Sequence, residues 1–350
     1  MTDHKGSPIK GLSRRTLFGG VAAAAALPIV AKAQTTAGAN EPLGPRGTGA
    51  PINSTGTQGL PQQGGYGPIR VLFISSYHAF DRENLFRMLD TFGEEITWCH
   101  VEHPAAEYFF DPALAEDFDV FLFYDAFAGR KMTGMGPNGR STYDYPPPSE
   151  KLQADLKQLL TNGDKGFVLF HHALASWVHS WPAGVNGTNA YIEMMGAAAD
   201  WGLGVKNVRG KDYPKSGYRQ GTEQRITVVD TAHPITEGVG DFDIVDEPYL
   251  CPILEDSVHP LLRTDFEPTV EKFAHAPNGA NAGEGHPPGS NLAGWVKTAE
   301  NTPVVYIQPG HDNNAWSHPS FRRLMLNAIK WSASPEAKEW ARANATRIFV

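Results

Sequence analysis

The chain has 350 residues, 41% of them apolar, with 38 acidic against 30 basic side chains and a formal net charge of −8. An acidic chain with no basic run in its body is a poor ligand for a phosphate backbone, so no nucleic-acid partner is expected. Its length suffices to bury a large core without covalent staples, and the two cysteines, Cys99 and Cys251, have apolar neighbours and read as buried thiols, with a single disulfide between them as the alternative in an oxidising compartment.

In chain order the first segment is an address. Ser13-Arg14-Arg15-Thr16-Leu17-Phe18 precedes an alanine-rich apolar stretch and the small-residue pattern Ala31-Lys32-Ala33. That is a twin-arginine signal peptide over residues 1–33, with the twin-arginine translocase as partner and a periplasmic or otherwise exported product. The apolar stretch, about twelve residues, is too short to span a bilayer. Residues 34–68 are rich in Gly, Pro, Thr, Gln and Asn and read as a flexible linker.

From Ile69 the apolar pattern alternates between two periods. Ile69 to Ser76 reads as a strand, followed from about Asp81 by a helix with Leu85, Leu89 and Phe92 on one face. Strands follow at Ile96 to Val101 and Phe118 to Tyr124. Ser149 can cap a helix whose stripe is Leu152, Leu156 and Leu159 and which Gly163 ends. Gly166 to Phe170 is a fourth strand, and Ala190 to Ala199 a further helix. Five more strands are predicted, beginning at Gln224, Phe242, Leu261, Leu292 and Val304, and a last helix starts near Pro319. Repeated β-α units predict an α/β fold, a doubly wound, mainly parallel, flavodoxin-like sheet over residues 69–334. Residues 220–296 predict a strand-rich antiparallel extension, and residues 335–350 a C-terminal helix and tail. Phe127 to Pro148 and Ala276 to Ser290 are long and rich in Gly and Pro, and read as irregular loops that border the site.

Gly134-Met135-Gly136-Pro137-Asn138-Gly139 matches the dinucleotide fingerprint only formally. It does not directly follow a strand or open a helix, so no nucleotide is expected. The turn after the fourth strand carries His171 and His172 where a cysteine or serine nucleophile would stand, which argues against covalent acyl chemistry. Histidine and carboxylate chemistry remains. His171, His172, His233, Asp246, Glu247, Tyr249 and His311 collect at strand ends and tight turns, where open α/β sheets bind ligands. His78 closes the first strand at the same rim. His100, His103, His259, His275 and His318 read as structural.

The segments GFVLFHHALASW, HPITEGV, DEPYLCP and VVYIQPGHD, with the helix FRRLMLNAIKW, resemble the ThuA-like (trehalose utilisation) family over about residues 69–332. The resemblance implies a class I glutamine amidotransferase-like sheet lacking the cysteine, and a role in sugar catabolism. It implies His171, His233, Glu247, Tyr249, Gly310 and His311 as family positions, and favours His171 over His172. Phe123-Tyr124-Asp125-Ala126-Phe127 departs from the aromatic-Gly-His that some members carry there.

Together these readings predict an exported enzyme acting on a carbohydrate, a disaccharide or oxidised sugar. In one chemistry, His171 or His172, His311, Glu247 and His78 hold a divalent metal, zinc first. In the other, Glu247 is a general base, His311 its acid partner and Tyr249 orients the substrate, with Asp246 beside them. His233, Trp177, Trp316, Asp312 and Asp125 are assigned to substrate binding. A non-catalytic carbohydrate-binding or interaction module of the cell envelope is the alternative, and a homo-oligomer stays open.

Overall fold

The computed structural model describes residues 63–137, 139–199, 205–269, 271–273 and 287–350. The signal peptide, most of the linker, His275, Trp201 and most of the Ala276 to Ser290 segment lie outside the described residues. Sixteen strands and seven helices are described: β1 (Gln63–Gly65), β2 (Ile69–Ser76), α1 (Arg82–Asp90), β3 (Ile96–Glu102), α2 (Pro112–Ala115), β4 (Val120–Asp125), β5 (Lys131–Met135) and β6 (Ser141–Asp144) lead. α3 (Glu150–Asn162), β7 (Gly166–Phe170), α4 (Ala190–Met195), β8 (Val205–Val208), β9 (Lys211–Pro214), β10 (Gly217–Tyr218), β11 (Thr222–Val228) and β12 (Phe242–Asp246) follow. β13 (Tyr249–Leu250), β14 (His259–Thr264), β15 (Leu292–Ala299), β16 (Thr302–Ile307), α5 (Asn313–Trp316), α6 (Pro319–Ala333) and α7 (Pro335–Ala343) complete the chain.

Ten strands form one sheet in the order β1-β3-β2-β4-β7-β16-β15-β14-β11-β12. The centre, β3-β2-β4-β7-β16, is parallel. Its strands are apolar on both faces because helices cover both; all six residues of β4, VFLFYD, are buried. On one face Leu152, Leu156 and Leu159 of α3 pack with Phe121, Phe167 and Tyr306. On the other, Leu85 and Leu89 of α1 and Leu324, Met325 and Ala328 of α6 pack with Val71, Leu122 and Val305. Beyond β16 the chain runs antiparallel through β15, β14, β11 and β12. Four reversals return β12 to the direction of the parallel strands, so its carboxyl end, Asp246 and Glu247, faces the same rim as theirs.

Local chemistry sets the helix ends. Asp81 caps α1 by accepting from Asn84 N–H, and Ser149 caps α3 by accepting from Leu152 N–H. Gly163 ends α3 at φ +64°, and Gly196 at φ +74° ends α4 at Met195, four residues short of the predicted end at Ala199, its N–H donating to Ile192 O.

Three expectations change. Order begins before Ile69, because Gln63–Gly65 pairs with β3 as an edge strand inside the predicted linker. Phe127 to Pro148 is not irregular throughout: Lys131–Met135 and Ser141–Asp144 pair as a separate hairpin, with a register shift at Met132/Gly134 that hides the strand alternation. The tail is part of the domain, since Glu300 and Thr346 form a bridge and Ile348 and Phe349 are buried. Cys99 and Cys251 are both free. No helix of the described residues is long and apolar enough to cross a membrane.

Candidate functional site

The carboxyl ends of β2, β4, β7, β12 and β16 surround a cavity of about 900 Å³ lined by His78, Phe127, His172, Glu247, Tyr249 and His311 among others. At its floor three side chains from three elements converge. His171 Nε2 lies 3.2 Å from Glu247 Oε2 and 3.1 Å from His311 Nδ1, and His311 Nδ1 lies 3.1 Å from Glu247 Oε2. Tyr249 Oη adds a fourth atom, 2.8 Å from His171 Nε2 and 3.1 Å from Glu247 Oε2.

Each group is held from behind. His171 sits at φ +50°, the left-handed region that a branched or bulky residue enters at a cost, on the turn directly after β7. The turn persists because Tyr306 Oη donates to His171 O (2.7 Å) and His171 Nδ1 meets Gln308 O (3.1 Å). With Nδ1–H donating to that carbonyl, Nε2 is the ring nitrogen turned toward the cluster. His311 is fixed by its backbone: Asp246 accepts from Gly310 N–H (2.6 Å) and His311 N–H (3.0 Å), and Tyr124 Oη donates to His311 O (3.1 Å). Gly310 is required at φ +137°, where a Cβ would fall 2.8 Å from Phe170 Cδ2.

The electrostatics follow from this crowding. Burial raises the Glu247 carboxyl, but the hydrogen bonds and charges of His171 and His311 outweigh it and hold the group well below the usual carboxylate range. Burial lowers His311, and Glu247 more than reverses this, so the ring titrates above an ordinary histidine. Burial pushes the Tyr249 phenol well above its usual value, which keeps it a neutral donor. Asp246 is raised by burial against the pull of His171 and three backbone N–H groups.

Two ring nitrogens and a carboxylate oxygen this close need a proton or a cation between them. His171, Glu247 and His311 are the described group whose ligand atoms, all within 4.8 Å of one another, suit a metal ion. Mutual spacings of 3.1–3.2 Å approach the edge of about 3.4 Å that a tetrahedral zinc site with bonds of about 2.1 Å requires. The tautomers also fit. Gln220 Nε2 lies 2.7 Å from His311 Nε2; with that amide turned over, its carbonyl accepts from Nε2–H and leaves the Nδ1 lone pair for an ion.

The other predicted residues divide. His172 does reach the cavity, although strand alternation places neighbours on opposite sides. Alternation has ended by then: His171–Ala175 is a 3₁₀ turn, and the His172 ring packs 4.1 Å from Tyr124 and 4.4 Å from His78. His78 stands on the wall, its ring centroid 6.0 Å from that of His311, outside the metal-spaced group. His233 is not at this site. It caps a short turn by accepting from Ile235 N–H and lines a separate groove of about 630 Å³ with His259, Trp331 and Trp340. Trp177 and Trp316 are buried and do not line the cavity: one packs against Trp181, and the other donates to Gly310 O (2.9 Å) from beneath the His311 turn. Asp312 caps α5, and Asp125 is buried in a hydrogen bond with Ser176 Oγ. Phe127, Tyr145, His179, Tyr218 and Gln220 line the cavity without having been singled out as binding groups; they sit on turns and short strands where no spacing rule marks them.

The fold and site define an α/β protein with a histidine-carboxylate centre at the carboxyl ends of its parallel strands. The family described as trehalose utilisation, ThuA, matches residues 92–332, and the chain belongs to it. A putative ThuA-like protein from Parabacteroides merdae superposes at a TM-score of 0.51 with 16% identity, over 76% of this chain and 90% of that one, a likeness of fold. A glutamine amidotransferase from Thermotoga maritima reaches a TM-score of 0.35 with 10% identity, over 77% of this chain and 100% of that one, too low to support an argument. No curated protein matches the chain.

Proposed function

We propose that the chain is a divalent-metal-dependent enzyme of carbohydrate catabolism whose metal ligands are His171, Glu247 and His311. The observation that carries this is the convergence of His171 Nε2, Glu247 Oε2 and His311 Nδ1 within 3.2 Å at the floor of an open cavity. Zinc suits the mixed imidazole and carboxylate set, and when bound it supplies Lewis acidity toward a sugar oxygen or a water. Tyr249, kept neutral by burial, donates a hydrogen bond to Glu247 Oε2 and lies within reach of His171, a position from which its hydroxyl can orient an oxygen of the substrate. Asp246 does not touch the cluster; it holds the Gly310-His311 backbone and so aims the His311 ring. Phe127, Tyr145 and Tyr218 give the cavity aromatic surface against which a sugar ring can lie. The family description supports sugar catabolism, and the Arg14-Arg15 leader supports export through the twin-arginine translocase.

The test is metal content of protein purified without a metal-affinity tag, wild type against His171→Ala/His311→Ala. About one equivalent of zinc or a similar ion, lost in the double variant, is expected. If both proteins are metal-free and reconstitute no ion, the metal reading fails. Glu247 would then be a base paired with His311, and Glu247→Gln separates that enzyme from a binding module: turnover falls by orders of magnitude in the first and affinity only modestly in the second.

A further inference from the structure

Arg130 stands one aromatic ring away from the cavity, on a turn built to hold it. Phe127, the residue that begins the turn, lies at φ +51°. Its N–H donates to Ala175 O (3.3 Å), and Arg130 N–H donates back to Phe127 O (3.0 Å). Gly129 between them, at φ +76°, packs on Trp177 so closely that a Cβ would fall 2.4 Å from the indole. The guanidinium carbon then lies 4.2 Å from the ring centroid of Tyr143, 4.8 Å from that of Phe127 and 5.1 Å from that of Tyr77. Phe127 lines the cavity, Tyr77 precedes the lining residue His78, and Tyr143 stands two residues before the lining residue Tyr145.

Three rings stabilise the cation through their faces but accept none of its in-plane N–H groups. Among the described residues no carboxylate pairs with Arg130, and its Nε is buried with no hydrogen-bond partner. A buried donor left without an acceptor costs free energy; Nε is out of a ligand's reach, and the terminal Nη groups, which are not among the buried unpartnered atoms, are the edge left for a planar, two-oxygen anion.

We propose that Arg130 binds a carboxylate of the substrate at the cavity rim, so that the ligand class is a sugar acid and not a neutral sugar; this rests on the sugar-directed reading of the His171 site. A carboxylate fits better than a phosphate because, among the described residues, no lysine or arginine lines the cavity itself, so Arg130 behind Phe127 would meet a dianion alone. Glu247, the lining carboxylate, is committed to His171 and His311 on the floor.

The experiment is titration calorimetry on the zinc-loaded full chain with glucuronate and with glucose as matched probes. Wild type is expected to bind glucuronate at least about tenfold more tightly, as one charge-assisted pair provides. Arg130→Gln is expected to erase that preference while leaving glucose affinity within about twofold, and Arg130→Lys to keep part of it. Unchanged melting of both variants would show that the turn survives. Equal affinity of wild type for the two sugars, or a preference that persists in Arg130→Gln, overturns the assignment and leaves the metal reading intact. Tighter binding of inorganic phosphate through Arg130 overturns the choice of carboxylate. If zinc loads and neither sugar binds at millimolar concentration, the sugar-directed reading falls and this inference with it.

Discussion

Asp246 shows how much of the centre rests on a residue that does not enter it. Its two oxygens accept from three consecutive structural points: Oδ2 from Gly310 N–H, Oδ1 from His311 N–H and from Glu247 N–H. One carboxylate therefore fixes the backbone beneath two of the three proposed ligands. Asp246→Asn retains a single carbonyl oxygen and turns an amide N–H toward a backbone N–H, so either Gly310 N–H or the His311 and Glu247 N–H groups together lose their acceptor. Loss of such an orienting partner typically costs ten- to a hundred-fold in metal affinity. We expect zinc affinity of Asp246→Asn to fall in about that range with the melting curve nearly unchanged, measured by competition with a chromophoric chelator. Affinity equal to wild type would remove Asp246 from the positioning role. The sequence placed His171, Glu247, Tyr249 and His311 in one cluster because each follows an apolar strand, and the structure brings those four together. It could not separate His233 from them: His-Pro-Ile-Thr looks equally polar and turn-like, and only the course of the chain carries it to the groove beside Trp331.

At the scale of the element, the segments easiest to read were those whose ends are written in local chemistry. Helix α3 spans Glu150–Asn162 between a serine cap and a left-handed glycine, as the residues require. Its two ends differ in how tightly the rest of the molecule holds them. Ser149→Ala removes one capping bond, Leu152 N–H to Ser149 Oγ (3.2 Å), from a partly exposed end and should cost about 1 kcal/mol. Gly163→Ala meets φ +64° and would set its Cβ 2.4 Å from Asn301 O, in the turn that joins β15 to β16. A loss of about 2 kcal/mol or more is expected there, because strain and collision add. Urea unfolding of the two variants checks the order; a Gly163→Ala variant as stable as Ser149→Ala would mean that the β15–β16 turn yields freely. The β5–β6 hairpin was harder to see, since Gly134 and Gly139 interrupt its alternation and its side chains are mostly exposed. The edge strand Gln63–Gly65 was invisible for a related reason: it is held by backbone pairing to β3, and two of its three residues are glycine.

For the molecule as a whole, the sequence predicted the parallel core and the antiparallel extension but not their joint, since nothing in β16 announces that it will lie beside β7. Long-range pairing is decided by which apolar faces remain uncovered, and β16, buried at all six positions, fills the gap between the two halves. The same burial makes the fold sensitive to acid at a point remote from the proposed ligands. His100 on β3 lies against Phe73 and Phe86, with its Nε2 2.8 Å from Ser75 Oγ. Burial pushes its pKa down to about 4; Glu102 opposes this and Arg82 adds to it. An unfolded histidine titrates near 6.5. The native state therefore binds this proton more weakly than the unfolded state, and stability is full above about pH 6.5 and declines as the pH falls toward 4. His233, also lowered to about 4 by burial, acts in the same direction, more weakly because it lies in an open groove. The His100 contribution is on the order of 2 kcal/mol across that window. Denaturant unfolding at pH 7.5 and pH 5 should show the loss in wild type, and His100→Gln, which cannot take up the proton, should lose less over the same interval. A variant whose stability falls in parallel with wild type would place the acid sensitivity elsewhere and show that the Ser75–His100 pair tolerates the charge.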